Sequence, residues 1–250
     1  MGERVRAALG EHPALSLRAA LEAPGHPRLG QEIAPGVHLE DDAGAALDRC
    51  DVAIVFANPA GSLDVVRAAS NRGVACVVGT TGFDAEQQAE LEALGEKVPL
   101  VVAANFSVAV NVLFHLAREA SRLLGEDFDA EIVELHHAGK VDAPSGTALR
   151  LGAAVAEGRS QRLADHQVLS REGLTGARPA GAIGIQTLRG GDNPGEHTLH
   201  FVGQGERLEL AHRSMTRDHF ARGAVRAAAW ISERGPGLYD MEQVLGLGDA

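Results

Sequence analysis

Residues 51–104 read DVAIVFANPAGSLDVVRAASNRGVACVVGTTGFDAEQQAELEALGEKVPLVVAA, and three apolar runs within them decide the fold. Residues 51–56 (DVAIVF), 74–78 (VACVV) and 99–104 (PLVVAA) are short and nearly unbroken. That is the pattern of strands buried on both faces of a parallel sheet. Between them the spacing predicts helices over residues 62–71 and 84–95. Strand and helix alternating through short loops is the rhythm of a doubly wound sheet. Such sheets bind ligands at the carboxyl ends of their strands. Asn58-Pro59, the loop Gly79-Thr80-Thr81-Gly82 and the turn Ala103-Ala104-Asn105-Phe106 all fall at those ends. Three loops at successive strand ends outline a binding edge.

Downstream of Ser107 the rhythm changes. A helix over about 108–124 leads to a strand over 129–135. Further strands near 182–189, 196–202 and 206–213 follow with no helix between them, predicting an α+β segment with a mainly antiparallel sheet. Helices over about 216–234 and 239–245 finish the chain. Residues 158–181 are rich in Arg and Gly and read as one long mobile loop. Upstream, Leu15 to Leu21 reads as a strand with Glu22 at its end.

Composition bounds the function. At 250 residues the chain has room for one large domain or two modest ones. Hydrophobic residues make up 45%, and no apolar run approaches the ~20 needed to span a bilayer. No basic stretch followed by an apolar one marks a secretory signal. Two cysteines, Cys50 and Cys76, make no disulfide framework and read as buried thiols in a reducing cytoplasm. The net charge of -11 argues against nucleic-acid and anionic-membrane partners. An anionic ligand must therefore be held by local cations.

Glu134-Leu-His-His-Ala-Gly-Lys-Val-Asp-Ala-Pro-Ser-Gly-Thr-Ala148 supplies them. His136, His137 and Lys140 surround a turn, Ser145-Gly146-Thr147, at the start of an expected helix. Ser145 or Thr147 is available as its cap. Backbone N–H groups at a helix start hold a carboxylate or phosphate. These groups suit a small, multiply anionic substrate that also receives a proton. A zinc site on His136 and His137 is disfavoured, because adjacent strand residues point to opposite faces and no Cys lies at ligand spacing. No metal is expected.

The same segment resembles the signature of the 4-hydroxy-tetrahydrodipicolinate reductase (dihydrodipicolinate reductase) family, E-x-H-H-x-x-K-x-D-A-P-S-G-T-A, at every fixed position. Gly79-Thr-Thr-Gly-Phe83 and Ala103-Ala-Asn-Phe-Ser107 are similar to two further family motifs. Ser170-Arg-Glu-Gly173, Arg189-Gly-Gly191, Gly195-Glu-His-Thr198 and Trp230 also resemble family positions. The resemblance implies a Rossmann-like α/β fold, with residues 1–107 and 217–250 binding a dinucleotide. Residues 108–216 would be an inserted substrate-binding and oligomerisation domain. It implies reduction of a cyclic hydroxylated dicarboxylate by NADH or NADPH in the diaminopimelate route to lysine, and a homotetramer in the cytoplasm. By carry-over, His136 is the acid/base residue and Lys140 the proton donor. His137 binds substrate, with Ser145, Gly146 and Thr147 holding its carboxylate. Gly79, Thr80, Thr81, Ala103, Ala104, Asn105 and Phe106 contact the nicotinamide half of the cofactor.

The opening departs from that family. Its members begin with a strand and a G-x-x-G-R-M-G turn, whereas this chain goes from Met1-Gly2 straight into a helix. The expectation is a start assigned too far downstream, leaving the first strand and most of the glycine turn missing. Glu22 would take the adenosine ribose hydroxyls. The basic residue that often follows it is here Ala23, which favours NADH, although Arg28 could reach a 2′-phosphate from its loop. Asp142 is expected to orient Lys140 or the turn, and Arg171, Arg178, Arg189 and Arg213 to be solvated. One competing expectation is a cofactor-poor, non-catalytic substrate-binding or assembly homologue. Another is a semialdehyde dehydrogenase, which would need a nucleophilic cysteine.

Overall fold

Each of the three apolar runs becomes a parallel strand. The computed structural model describes residues 1–248. In chain order it opens with α1 (Gly2–Gly10), β1 (Ala20–Leu21), β2 (Glu32–Ala34), β3 (Val37–Glu40), α2 (Ala43–Leu47), β4 (Val52–Val55), α3 (Pro59–Ser70), β5 (Ala75–Val78), α4 (Ala85–Gly95) and β6 (Pro99–Val102). There follow α5 (Val108–Leu124), β7 (Asp129–His136), α6 (Gly146–Gly158), α7 (Leu163–His166), β8 (Gln167–Val168), β9 (Ile183–Arg189), β10 (Glu196–Val202) and β11 (Arg207–Arg213). The chain ends through α8 (Asp218–Ile231), β12 (Gly237–Tyr239) and α9 (Met241–Leu245). Contacts divide it into two units: Met1–Val108 with the segment from Asp218 onward, and Ala109–Arg217.

In the first unit a parallel sheet of order β12-β6-β5-β4 is covered on both faces. Leu63 and Val66 of α3 and Leu91 of α4 pack on Cys76, Val78 and Leu100. Ala224, Ala227 and Ile231 of α8, with Met241 and Val244 of α9, pack on Ala75, Val77 and Val101. Every residue of β5 is buried, so each of its larger side chains gains about 1.5–3 kcal/mol on leaving water. Helix starts follow local chemistry. Asn58 caps α3 ahead of Pro59, and Asp84 with Gln87 forms a reciprocal capping box on α4.

The strand expected over Leu15 to Leu21 is present only as Ala20–Leu21. It pairs in parallel with β3 in a separate sheet of order β1-β3-β2. Strand structure extends only as far as a neighbour supplies a ladder, and the pairing with β3 reaches Ala20 and Leu21 alone.

The second unit holds a sheet of order β11-β10-β7-β9-β8. It is mixed: β10 runs antiparallel to β11 and β7, as expected, whereas β7, β9 and β8 are mutually parallel. The cause is α6, which carries the chain from the end of β7 back past the sheet before β9 begins, as any parallel connection requires. Ala148, Leu151 and Val155 of α6 and Phe114 and Ala117 of α5 pack on Ala130, Ile132, Ile185, Leu199 and Phe201. Residues 158–181 are not one irregular loop, since they contain α7 and β8. Among the described residues no helix is long and apolar enough to cross a membrane.

Candidate active site

Along β7 alternate residues face the helices, and that alternation delivers the chemistry. Ala130 and Ile132 enter the core, and Glu134 and His136 continue the same buried face to the strand end. A carboxylate without solvent contact must find donors. Oε1 of Glu134 accepts from the Ser145 N–H at 3.0 Å, the Thr187 hydroxyl at 3.1 Å and Arg189 Nη2 at 3.1 Å. Oε2 accepts from Arg189 Nη1 at 3.2 Å and faces Nδ1 of His136 in a short hydrogen bond. Burial pushes the Glu134 pKa up, but Arg189, the Ser145 N–H and the His136 ring outweigh it, and the carboxyl titrates below its ordinary range. His136 moves down as well: burial outweighs the attraction of Glu134, with Lys140 and Arg189 adding repulsion.

Beyond the strand, His137 turns to the other side and is half-buried, its N–H donating to the Asn193 carbonyl at 2.8 Å. Lys140 Nζ donates to both oxygens of Asp142 at 2.8 and 2.9 Å, so Asp142 orients the ammonium as expected. The Ala143–Pro144 peptide is cis. Ser145 is the cap of α6, its hydroxyl accepting from the Ala148 N–H at 3.1 Å. Its side chain is buried, Gly146 is exposed and Thr147 is half-buried. From β10, His197 brings Nε2 to 3.2 Å from Ser145 Oγ and sets its ring edge-on to His136 at 5.2 Å. Burial, followed by repulsion from His136, lowers the His197 pKa to about 4, so the ring is neutral.

Glu134, His136 and His197 offer one ligand atom each within 4.8 Å of one another. A cation there would displace the Arg189 guanidinium, which already spans both carboxylate oxygens. In the same group, Nδ1 of His197 is buried without a hydrogen-bond partner among the described residues.

The first unit carries the other predicted residues. Thr80, Thr81, Gly82, Phe83, Ala104, Tyr239 and Asp240 line a cavity of about 470 Å³ where β5, β6 and β12 end. A Cβ on Gly79 would lie 2.1 Å from the Phe56 ring, so only glycine lets the chain leave β5 there. The Thr80 hydroxyl is buried, 2.6 Å from that of Ser62 and donating to the Ala57 carbonyl at 3.0 Å. Thr81 and Ala104 are exposed, whereas the Phe106 side chain is buried against Phe56. Asn105 accepts from the Ser107 N–H at 2.8 Å, which closes the turn. Thr80, Asn105 and Phe106 thus shape the loops. A strand-end cavity of this size with small, backbone-presenting loops fits the nicotinamide end of a dinucleotide. Glu22 is exposed at the end of β1, and its carboxylate accepts from the Ala23 N–H at 3.0 Å. Arg28 is held by Glu3 at 2.9 Å and Gln31 at 2.7 Å.

The arginines correct the expectation of solvation. Arg189 is bound to Glu134 and to the Asp142 carbonyl at 2.7 Å. Arg171 and Arg178 clamp Glu131, the former bidentate at 2.8 and 2.7 Å. Arg171 remains exposed despite that pairing, and Arg213 is exposed as well, 3.3 Å from Glu196. Sequence reasoning gave Glu134, Arg189 and His197 no role. The available signal was the shared face of Glu134 and His136, two residues apart on one strand. Burial raises the Cys50 pKa, and that of Cys76 to about 12, the opposite of what a nucleophilic thiol needs.

Comparison with known proteins covers both units. The family model described as dihydrodipicolinate reductase, N-terminus, matches residues 1–106, and that for the C-terminus matches residues 109–245. The 4-hydroxy-tetrahydrodipicolinate reductase of Geobacter metallireducens is 47% identical over 99% of this chain and 95% of its own length. That of Anaeromyxobacter dehalogenans is 46% identical over 99% and 94%. Among solved structures, the dipicolinate-bound dihydrodipicolinate reductase from Paenisporosarcina sp. TG-14 superposes with a TM-score of 0.79 at 26% identity. The match covers 96% of this chain and 92% of that one.

Proposed function

Because this chain belongs to the dihydrodipicolinate reductase family, we propose that it is the NAD(P)H-dependent enzyme that reduces 4-hydroxy-tetrahydrodipicolinate. The product is tetrahydrodipicolinate, formed with loss of water on the diaminopimelate route to lysine. The observation that carries this reading is the gathering of His136, His137, Lys140 and the Ser145-Gly146-Thr147 turn at one end of the second unit. The substrate carries two carboxylates. The first turn of α6, at Gly146 and Thr147, offers backbone N–H groups and a favourable dipole to one of them. Lys140 and His137 supply cationic and hydrogen-bonding groups to the rest.

Gly79, Thr80, Thr81 and the Ala103 to Phe106 turn, at the strand-end cavity of the first unit, would hold a reduced nicotinamide, which would supply a hydride. Reduction pushes electron density onto the substrate ring, which must then take a proton. Lys140 Nζ donates it, and His136 acts as the acid/base group. Positioned proton transfer of this kind is worth ~10²–10⁴ in rate.

NADH serves at least as well as NADPH. Ala23 follows Glu22, and Arg28 is engaged by Glu3 and Gln31. The enzyme works in the cytoplasm, in keeping with two free cysteines. It assembles as a homotetramer through the sheet face of the second unit that the helices leave open, where Val133, Leu135, Leu188 and Val202 lie. Steady-state kinetics with both cofactors tests the reading, with oligomer size measured on the same sample. Substrate-dependent oxidation of NADH is expected. Dipicolinate binding without turnover would favour a non-catalytic homologue instead, and a strong NADPH preference would overturn the cofactor assignment.

A further inference from the structure

We propose that Glu134 is the positioning residue of the acid/base imidazole: it fixes His136 as the tautomer protonated at Nδ1, while Gly195 keeps Nε2 clear for substrate. The inference rests on the reading of His136 as the acid/base group and adds what sets that group's orientation.

The first support is the division of labour between the carboxylate oxygens. Oε1 serves the anion-binding turn through the Ser145 N–H and the Thr187 hydroxyl, and Oε2 serves Nδ1 of His136. Arg189 touches both oxygens and balances the charge. An ionised carboxylate can only accept, so Nδ1 must carry the proton, and the lone pair of the neutral ring falls on Nε2. One side chain thereby ties the reacting imidazole to the loop that seats the substrate carboxylate.

The second support lies on the opposite side of the ring. Gly195 has φ +148°, a backbone conformation that side chains rarely adopt. A Cβ there would stand 2.8 Å from His136 Nε2 and 3.1 Å from Cδ2. Any other residue would cover the nitrogen that Glu134 leaves unprotonated. The groups that face His136 are Glu134 on its own strand, Arg189 from β9, His197 from β10 and Lys140 from the following loop. Of these only Glu134 favours the protonated ring, since His197 is neutral and the other two are cations.

The test is Glu134→Gln in the full chain, read by histidine side-chain ¹⁵N NMR and by kinetics. A glutamine whose oxygen keeps the Ser145 and Thr187 bonds turns its amide NH₂ toward Nδ1, which must then accept, and the ring proton moves to Nε2. In the wild type, neutral His136 is expected as the Nδ1–H tautomer. In E134Q it is expected as Nε2–H, titrating ~1 pH unit or more lower because an opposite charge has gone. Turnover should fall at least ~10-fold with its pH profile displaced the same way, and KM should change less than ~3-fold. An Nε2–H tautomer in the wild type overturns the proposal. So does an E134Q enzyme that keeps the wild-type tautomer, titration and kcat. Thermal unfolding and NADH binding report whether E134Q folds; if it does not, the wild-type tautomer decides. A wild type with no turnover would remove the acid/base reading, while the tautomer measurement still judges the geometry on its own.

Discussion

Arg189 meets Glu134 with one guanidinium nitrogen on each carboxylate oxygen, at 3.2 and 3.1 Å. Glu134 has no solvent exposure, and among the described residues Arg189 is the full counter-charge in contact with it. Removing one partner of a buried pair strands the other. Arg189→Ala is therefore expected to cost about 3–5 kcal/mol in urea unfolding. Arg189→Lys should recover only part, because a point charge cannot span both oxygens. A loss below ~1 kcal/mol would show that the carboxylate is neutral or solvated.

Lys140→Ala should cut kcat by ~10²–10⁴ with the unfolding midpoint nearly unchanged, since its partner Asp142 is exposed and loses little. Near-normal turnover would refute its role as proton donor. Asp142→Asn only loosens the ammonium, and a fall of less than ~10-fold is expected.

Stability should fall with acid before the carboxylates titrate. His197 goes from an ordinary value of 6.5 to about 4 in the fold. The unfolded chain then binds more protons between those values, and stability present above pH 6.5 is lost as the pH drops toward 4. The full loss is on the order of 3 kcal/mol for this ring. His136, also lowered, adds in the same direction. Chemical denaturation from pH 7 to 4.5 checks this, and His197→Asn should flatten the slope across that window.

Ser145 both caps α6 and touches His197. Ser145→Ala should destabilise by ~1 kcal/mol and raise KM for the substrate several-fold with kcat less affected, as loss of ground-state binding requires. An unchanged KM would mean that the turn does not seat the substrate.

Three strands of the parallel sheet, β4, β5 and β6, were legible because unbroken apolar runs have one simple explanation at that length; β12, three residues at the sheet edge, was not. The Ser145 cap and the Lys140–Asp142 pair were each legible as one of two local alternatives, Thr147 and the turn being the others. What could not be read was long-range. Arg189 lies 55 residues from Glu134 and His197 lies 52 from Ser145, and no periodicity announces such pairs. The parallel pairing of β7 with β9 was hidden for the same reason: strand spacing shows that strands exist, and only the path of α6 sets their direction. Arginines look solvated in a sequence because their acceptors, here Glu131 and Glu134, stand on another strand.

The strict alternation of β7 also limits how this chain can change over evolutionary time. Inserting or deleting a single residue directly after Ala130 would swing Glu134 and His136 to the outer face and drive Leu135 inward. Length drift in this strand is thus confined to even steps, while the loop before β9 is under no such parity rule. Indels in natural variants should accordingly collect between α6 and β9 and be missing from β7.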